Sequence, residues 1–188
     1  YSPREFSAAD LAVLGDLSAL AEDEFAAVSA ATTDELTGLF NRRGFNQLLR
    51  FTLSVARRRA EPLTLGWLDL DRFKEINDRY GHEEGDNALK VMAELMRTSF
   101  READLLVRFG GDEFAVLFAD TDEQGAWIAM QYLAEQVEQY NARRLHPWSL
   151  HFSWGLSEFD HNGNDLQQWM KDADEKMYAM KQQRKRAT

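Results

Sequence analysis

The sequence has no cysteine among its 188 residues, only three prolines and no long apolar run. Without cysteine there is no disulfide framework, no thiolate nucleophile and no cysteine-ligated zinc, so a bound metal must use oxygen or imidazole ligands. No stretch approaches the roughly 20 apolar residues that span a bilayer, and no signal peptide pattern is present. We therefore expect a cytoplasmic chain without direct membrane contact and, since the first residue is Tyr1, a fragment of a longer protein.

Basic residues are also in deficit, with 22 Lys and Arg against 32 Asp and Glu and a net charge of -10. A nonspecific binder of nucleic-acid polymers needs a basic face that neutralises phosphates, so we expect no such partner. A nucleotide held through a metal ion is still compatible with this charge. Hydrophobic residues make up 44% of the chain and aromatic residues 12%, which predicts a packed core rather than disorder.

Apolar spacing predicts an α+β chain that begins with an amphipathic helix over Ser7 to Ala30. That helix packs on its own domain or, through a heptad-like stripe, pairs with a second subunit. After it, the pattern predicts helices over Phe45 to Arg59, Asn87 to Phe100, Asp122 to Tyr140 and Asp165 to Lys181, and strands over Leu63 to Leu70, Leu105 to Phe109, Phe114 to Phe118 and Trp148 to Leu156. This order resembles a ferredoxin-like core with additional helices.

Two acidic pairs follow predicted strands: Asp69 with Asp71, and Asp112 with Glu113. Neighbouring strand ends can meet in an antiparallel or mixed sheet, and the four carboxylates would then repel one another and raise their pKa values. Mg²⁺ is suited to such a cluster because it takes oxygen ligands and arrives with substrate phosphates. The alternative is that Asp69 and Asp71 only cap a helix that begins near Arg72.

Gly110 and Gly111 precede the second acidic pair and predict a β-hairpin turn, since a type I′ turn needs positive φ at both central positions. A tight turn alone does not account for two successive acids. We expect Asp112 and Glu113 to lie on opposite faces of the following strand. One can then bind a metal while the other takes a different role.

The chain has neither a P-loop nor a dinucleotide-binding glycine motif, so phosphates must be held by metal, backbone amides and separate basic residues. Lys74 lies one turn into the helix after Asp71 and suits this role, although a solvated lysine is the common alternative. Asn77 and Asp86 offer an amide and a carboxylate that suit a guanine edge. Their alternative is an ordinary place in turns.

Four stretches in this order and spacing resemble the diguanylate cyclase, or GGDEF domain, family from Thr32 to Lys185: DELTGLFNRR (34 to 43), DLDRFKEINDRYGHEEGD (69 to 86), RFGGDEF (108 to 114) and DADEKMYAMK (172 to 181). Residues 1–31 resemble the end of a GAF-type sensory domain that continues into a linker helix, which leaves 32–188 as the cyclase domain. The resemblance implies a nucleotide-cyclase-like palm with a central, mainly antiparallel sheet. It also implies a homodimer that condenses two GTP into cyclic di-GMP and two pyrophosphates.

The resemblance further implies a role for each matching residue. Asp69, Asp112 and the carbonyl of Leu70 match ligands of Mg²⁺ or Mn²⁺, and Asp112 or Glu113 matches the residue that activates the ribose 3′-hydroxyl. Lys74 matches a lysine that stabilises phosphate charge. Substrate-binding positions are matched by Phe73, Asn77, His82, Asp86, Lys181 and Lys185. Lys185 stands where the family often has arginine, and lysine lacks the bidentate fork of arginine.

Arg101 and Asp104 match an R-x-x-D site that binds the product and inhibits the enzyme, and we assign Arg108 to the same site. A second subunit often adds an arginine there, for which Arg57, Arg58 or Arg59 would serve. The alternative for Arg101 and Asp104 is a salt bridge at a helix end. At the level of function, the alternative is a catalytically silent receptor for cyclic di-GMP or GTP.

Overall fold

The computed structural model describes residues 30–161, 163 and 165–187. The linker helix predicted for residues 1–31 lies almost entirely outside the described residues. The described elements are helix α1 (Arg42–Arg59), strand β1 (Leu63–Leu70), helices α2 (Phe73–Tyr80) and α3 (His82–Ser99), strands β2 (Leu105–Gly110) and β3 (Glu113–Ala119), helix α4 (Glu123–Ala142), strand β4 (Phe152–Glu158) and helix α5 (Leu166–Ala187). None of the described helices has both the length and the apolar character that a membrane crossing requires.

The four strands form one antiparallel sheet in the order β2-β3-β1-β4. Side chains alternate between the faces of β1: Leu63 and Leu65 pack with residues of α1 and α5, whereas Leu68 and Leu70 pack with residues of α3 and α4. Each face is therefore covered by a helical layer, as period-two alternation requires. The predicted α+β, ferredoxin-like and palm-like architecture is confirmed.

The largest boundary errors of the sequence prediction concern α5, α3 and β4. Helix α5 continues to Ala187 instead of ending at Lys181. Helix α3 begins at His82 instead of Asn87, because Gly81 (φ 89°) ends α2 and immediately starts the next helix. Strand β4 begins at Phe152 instead of Trp148. Trp148 and Leu150 are buried, but both backbone groups of Leu150 bond to the side chain of Asn141 instead of a neighbouring strand.

Close packing of α5 on β4 positions the C-terminal half of that helix. A Cβ atom at Gly155 would lie 2.2 Å from both the carbonyl oxygen of Ala173 and the amide nitrogen of Met177. Only glycine allows the two backbones to approach so closely. The helix then continues past the end of β1, where Lys181 contacts Asp69.

Candidate active site

The two acidic pairs come together at one end of the sheet. Asp69 of β1 pairs directly with Glu113 of β3, and the amide of Leu70 donates to the carbonyl oxygen of Asp112 at 3.1 Å. Side chains of directly opposed residues lie on the same face of a sheet. The predicted convergence of strand ends is therefore confirmed.

The alternative interpretation, in which these aspartates cap a helix, is wrong. Arg72 (φ 58°) holds the N-cap position of α2, and no side chain caps that helix. Asp71 instead accepts a hydrogen bond from the hydroxyl of Ser153 at 2.8 Å. The first amides of α2 are left without a side-chain cap, an arrangement that suits an anion.

The hairpin turn lies one residue later than expected. Strand β2 continues through Gly110, which pairs with Glu113, so Gly111 and Asp112 form the turn. The expectation that Asp112 lies in the strand, on the face opposite to Glu113, is therefore wrong. Gly110 and Gly111 have φ values of 140° and 56°, and a Cβ at either would meet nothing within 4 Å. Glycine is thus favoured by the backbone conformation and not by lack of space.

Burial, and to a smaller extent mutual repulsion, raises the pKa values of two carboxylates in the acidic cluster. Asp69 is only 8% exposed; burial raises its pKa, the hydrogen bond from Lys181 opposes the rise, and the charge of Asp112 adds to it. Partial burial also raises the pKa of Glu113, and the charges of Asp69 and Asp112 raise it further. The Nζ atom of Lys181 contacts Oδ1 of Asp69 and supplies a countercharge. A cation at this position would relieve the same repulsion.

The donor set fits magnesium or manganese bound together with a nucleotide. No group of three or more His, Asp or Glu side chains within the described ranges is arranged to hold a metal ion. Magnesium usually takes one or two carboxylates and completes its coordination with substrate phosphates and water. Asp69, Asp112 and the carbonyl of Leu70 offer oxygen donors of this kind at adjoining positions. The site therefore suits a metal that arrives with phosphates.

A second basic side chain of α5 lies beside the cluster, and sequence reasoning did not select it. Nη1 of Arg184 donates to the carbonyl oxygen of Phe152 at 2.7 Å and to Oδ2 of Asp71 at 3.3 Å. Lys185, the predicted phosphate contact, is exposed. Positions three and four apart share a helix face, so the spacing from Lys181 allowed either Arg184 or Lys185, and Arg184 is the one that contacts Asp71.

The predicted substrate-binding residues between 73 and 86 lie on two helices that touch. Phe73 is half-buried against the core, and Lys74 is exposed in the first turn of α2. The side-chain amide of Asn77 lies against the first turn of α3. The approach is so close that a Cβ atom at Gly85 would come within 1.9 Å of Oδ1 of Asn77.

His82 is exposed in that first turn of α3, and Asp86, four residues later, is exposed one turn further along the same face. Asn77, His82 and Asp86 are therefore grouped in space. The sheet end with the carboxylates and the junction of α2 with α3 form the two ends of the candidate site.

Arg101 and Asp104 line a groove of about 400 Å³ together with Arg97, Phe100 and Leu106. Oδ2 of Asp104 accepts a hydrogen bond from the amide of Arg101 at 3.0 Å, and burial raises the pKa of Asp104, against the opposing effect of Arg101. The groove thus offers guanidinium and carboxylate groups beside apolar surface.

Arg108 lies elsewhere and does not line that groove. Its Nη1 donates to both carboxylate oxygens of Asp34 at 3.0 Å. Its Nε and Nη2 donate to the carbonyl oxygen of Gly111 at 3.1 and 2.9 Å. Arg108 therefore joins the turn that begins at Asp34 to the hairpin turn of the acidic cluster.

Comparison with known proteins agrees with this geometry. The family described as "Diguanylate cyclase, GGDEF domain" matches residues 31–187. The probable diguanylate cyclase DgcC of Escherichia coli is 33% identical over 151 residues, which cover 80% of this chain and 41% of that protein. The cyclic di-GMP phosphodiesterase NbdA of Pseudomonas aeruginosa is 37% identical over 143 residues, 76% of this chain and 18% of that protein. The chain thus spans less than half of either relative.

A solved structure is similar along nearly the whole chain. The coiled coil and GGDEF domain of DgcB from Caulobacter crescentus, in complex with c-di-GMP, matches with a TM-score of 0.82 and 27% identity, over 93% of each chain. The family match covers the acidic cluster, the α2–α3 junction and the basic face of α5. The chain therefore belongs to the diguanylate cyclase, GGDEF domain, family.

Proposed function

We propose that this domain is a diguanylate cyclase that condenses two GTP molecules into cyclic di-GMP and two pyrophosphates. The observation that carries the proposal is the meeting of Asp69, Asp112 and Glu113 at one sheet end, with Lys181 in contact with Asp69. Membership of the family supports it. The proposal assigns residues 32–188 to the cyclase domain and 1–31 to a linker helix after a sensory domain. It also places the domain in the cytoplasm, where GTP is available.

Each condensation forms one phosphodiester bond. The ribose 3′-oxygen of one GTP attacks the α-phosphorus of the other, the bond to pyrophosphate breaks, and a carboxylate takes the hydroxyl proton. Glu113, which pairs directly with Asp69 in the sheet, is one candidate for this general base. Asp112, in the turn that precedes Glu113, is the alternative base.

Asp69, Asp112 and the Leu70 carbonyl would hold Mg²⁺ or Mn²⁺, which when bound neutralises triphosphate charge. With a metal held by Asp69, Lys181 would be available to bind the substrate phosphates. Lys74 and Arg184 add positive charge from α2 and α5, and Arg184 supplies the fork that Lys185 lacks. Preorganised cations of this kind stabilise the charge that develops on the phosphates.

Recognition of guanine falls to the junction of α2 and α3. The carboxylate of Asp86 accepts hydrogen bonds from the N1 and exocyclic amine of guanine, and the amide of Asn77 pairs with the remaining edge. Adenine lacks these donors, so GTP is preferred over ATP. His82 and Phe73 border the same nucleotide.

Each chain holds one GTP, and a cyclic product with two phosphodiester bonds therefore needs two sites that face each other in a homodimer. Product inhibition is assigned to the groove of Arg101 and Asp104, because arginine hydrogen-bonds the Hoogsteen edge of guanine.

The test incubates the purified chain with GTP and Mg²⁺, with ATP in parallel, and separates the products by chromatography. Cyclic di-GMP from GTP and no cyclic product from ATP is the expected result. If no product forms at high protein concentration while cyclic di-GMP still binds, the proposed activity is wrong for this chain, which is then either a receptor or a fragment that does not dimerise.

A further inference from the structure

The segment of residues 143–151, between α4 and β4, contacts the first turn of α3. The indole Nε1 of Trp148 donates to Oε2 of Glu84 at 2.6 Å, and Nδ1 of His146 lies 3.1 Å from the same oxygen. Asn87 donates to the other carboxylate oxygen at 3.2 Å. Glu84 stands between His82 and Asp86, so these bonds hold the turn that bears the proposed guanine contacts.

Contacts within the segment and with the end of α4 hold its conformation. The ring of His146 stacks on Trp148, with centroids 4.4 Å apart and planes 17° apart, and on Tyr140 at 6.2 Å and 25°. Trp148 is 8% exposed. Asn141 bonds both backbone groups of Leu150 at 2.8 Å. The packed indole of Trp148 and the two hydrogen bonds from Asn141 together fix the backbone path between α4 and β4.

The end of the same segment contacts the phosphate side of the candidate site. The carbonyl oxygen of His151 accepts a hydrogen bond from the amide of Asp71 at 2.8 Å. Ser153, two residues later, donates from its hydroxyl to Oδ1 of Asp71 at 2.8 Å. One stretch of chain thus bonds to the turn after β1 and to the first turn of α3, the two places that a nucleotide would bridge.

We infer that Glu84 is a positioning residue for the nucleotide, which acts through Trp148 and His146 to fix the guanine-binding turn relative to the carboxylate end. This inference rests on the proposed function, because it takes Asn77 and Asp86 as the guanine contacts. Glu84 itself touches no substrate in this arrangement. Its loss leaves the acidic cluster intact and changes the placement of the guanine end.

The variants Glu84→Ala, Glu84→Gln and Trp148→Phe separate positioning from general stability. Glu83→Ala is the matched control, since Glu83 is an exposed acid in the same helical turn and its removal costs the same interaction with the helix dipole. Guanine contacts lie away from the reacting atoms, so their loss weakens binding of the substrate and of the transition state by the same amount. Such a loss raises KM and leaves kcat constant.

We expect Glu84→Ala to raise the KM for GTP about tenfold, which is the scale of effect for losing hydrogen bonds to a charged group. The kcat should change by less than about twofold. Glu84→Gln should recover part of the loss, because its amide oxygen still accepts from Trp148. Trp148→Phe should raise KM by about threefold to fivefold, since it removes one donor and keeps most of the apolar ring. Glu83→Ala should behave as the wild type.

Unfolding temperatures are measured beside the kinetics. If Glu84→Ala and Glu83→Ala have equal KM values, or if Glu84→Ala lowers only kcat and the unfolding temperature, Glu84 does not position the nucleotide. If the wild type makes no cyclic di-GMP, the proposed activity is wrong, and the inference about Glu84 is tested instead by calorimetric measurement of GTP binding. A weaker Kd for Glu84→Ala than for Glu83→Ala then supports the inference, and equal values or no GTP binding overturn it.

Discussion

Replacement of Asp34 by alanine tests the link between the turn at residues 34–37 and the hairpin of the acidic cluster. The carboxylate accepts from Arg108 Nη1 on both oxygens at 3.0 Å, and from the amide and hydroxyl of Thr37 at 2.9 and 2.6 Å. The side chains of Arg108 and Asp34 are only 12% and 23% exposed. Asp34→Ala therefore leaves a mostly buried guanidinium without its carboxylate.

The expected cost lies between two limits. Exposed ion pairs contribute about 0 to 1 kcal/mol, and breaking a fully buried pair costs about 3 to 5 kcal/mol. Because this pair is partly buried, we expect a loss of about 2 kcal/mol in the free energy of unfolding. For a domain of this size that loss lowers the unfolding temperature by roughly 4 to 8 °C.

The effect should depend on pH in a defined direction. Burial alone would raise the pKa of Asp34, but hydrogen bonds from Thr37 and Arg108 outweigh it, and the pKa lies below its ordinary value of 3.8. A lowered carboxyl pKa gives stability that is fully present above the unfolded-state value and is lost as pH falls through the folded-state value. The difference in unfolding free energy between wild type and Asp34→Ala is therefore full at pH 7. It becomes smaller as the pH falls below 3.8, the ordinary pKa of this group.

Thermal and urea unfolding at pH 7 and at acidic pH measure both effects. Glu35→Ala is the control, because Glu35 is an exposed neighbour with the same charge, and surface substitutions of this kind usually change stability by less than about 0.5 kcal/mol. Equal unfolding free energies for the two variants at pH 7 would refute the reasoning. A difference that grows as the pH falls would refute the assigned direction of the pKa shift.

Three further substitutions test other parts of the structure. Gly155→Ala places a methyl group against the backbone of α5 at Ala173 and should destabilise the domain by about 1 to 3 kcal/mol or more; an unchanged urea midpoint would contradict the close packing. Lys181→Met should reduce pyrophosphate release roughly 100-fold by removing a phosphate cation, whereas Lys185→Met should change it far less; equal effects would contradict the assignment of Lys181. Arg101→Ala should relieve inhibition by added cyclic di-GMP at an unchanged initial rate, and unchanged inhibition curves would exclude the groove as the product site.

The sequence predicted those features that depend on local pattern. The bounds of β1, Leu63–Leu70, agree with the structure because Pro62 and a charged turn enclose an apolar run. The hairpin was predicted from two apolar runs around a glycine pair. The meeting of Asp69 with Glu113 followed from strand ends alone, since neighbouring strands bring their ends together.

Features that depend on distant partners could not be predicted in this way. Asp34 and Arg108 are 74 positions apart, and Glu84 and Trp148 are 64 apart, so no local spacing indicates that they meet. Residues 148 to 150 have the burial of a strand, but the amide side chain of Asn141 takes the backbone bonds that a neighbouring strand would supply. Arg184 was a partial exception, because its spacing from Lys181 limited the choice on that helix face to Arg184 and Lys185.

The most direct test of the account compares cyclic di-GMP formation by the wild type, Asp112→Asn and Asp120→Asn. Asp112 lies in the hairpin turn beside Asp69, whereas Asp120 is an exposed acid just beyond β3. We predict that Asp112→Asn reduces the rate of formation from GTP and Mg²⁺ by roughly 100-fold or more, with an unfolding temperature close to that of the wild type, and that Asp120→Asn retains full activity. A rate for Asp112→Asn equal to that for Asp120→Asn would contradict the central claim that the acidic cluster performs the chemistry.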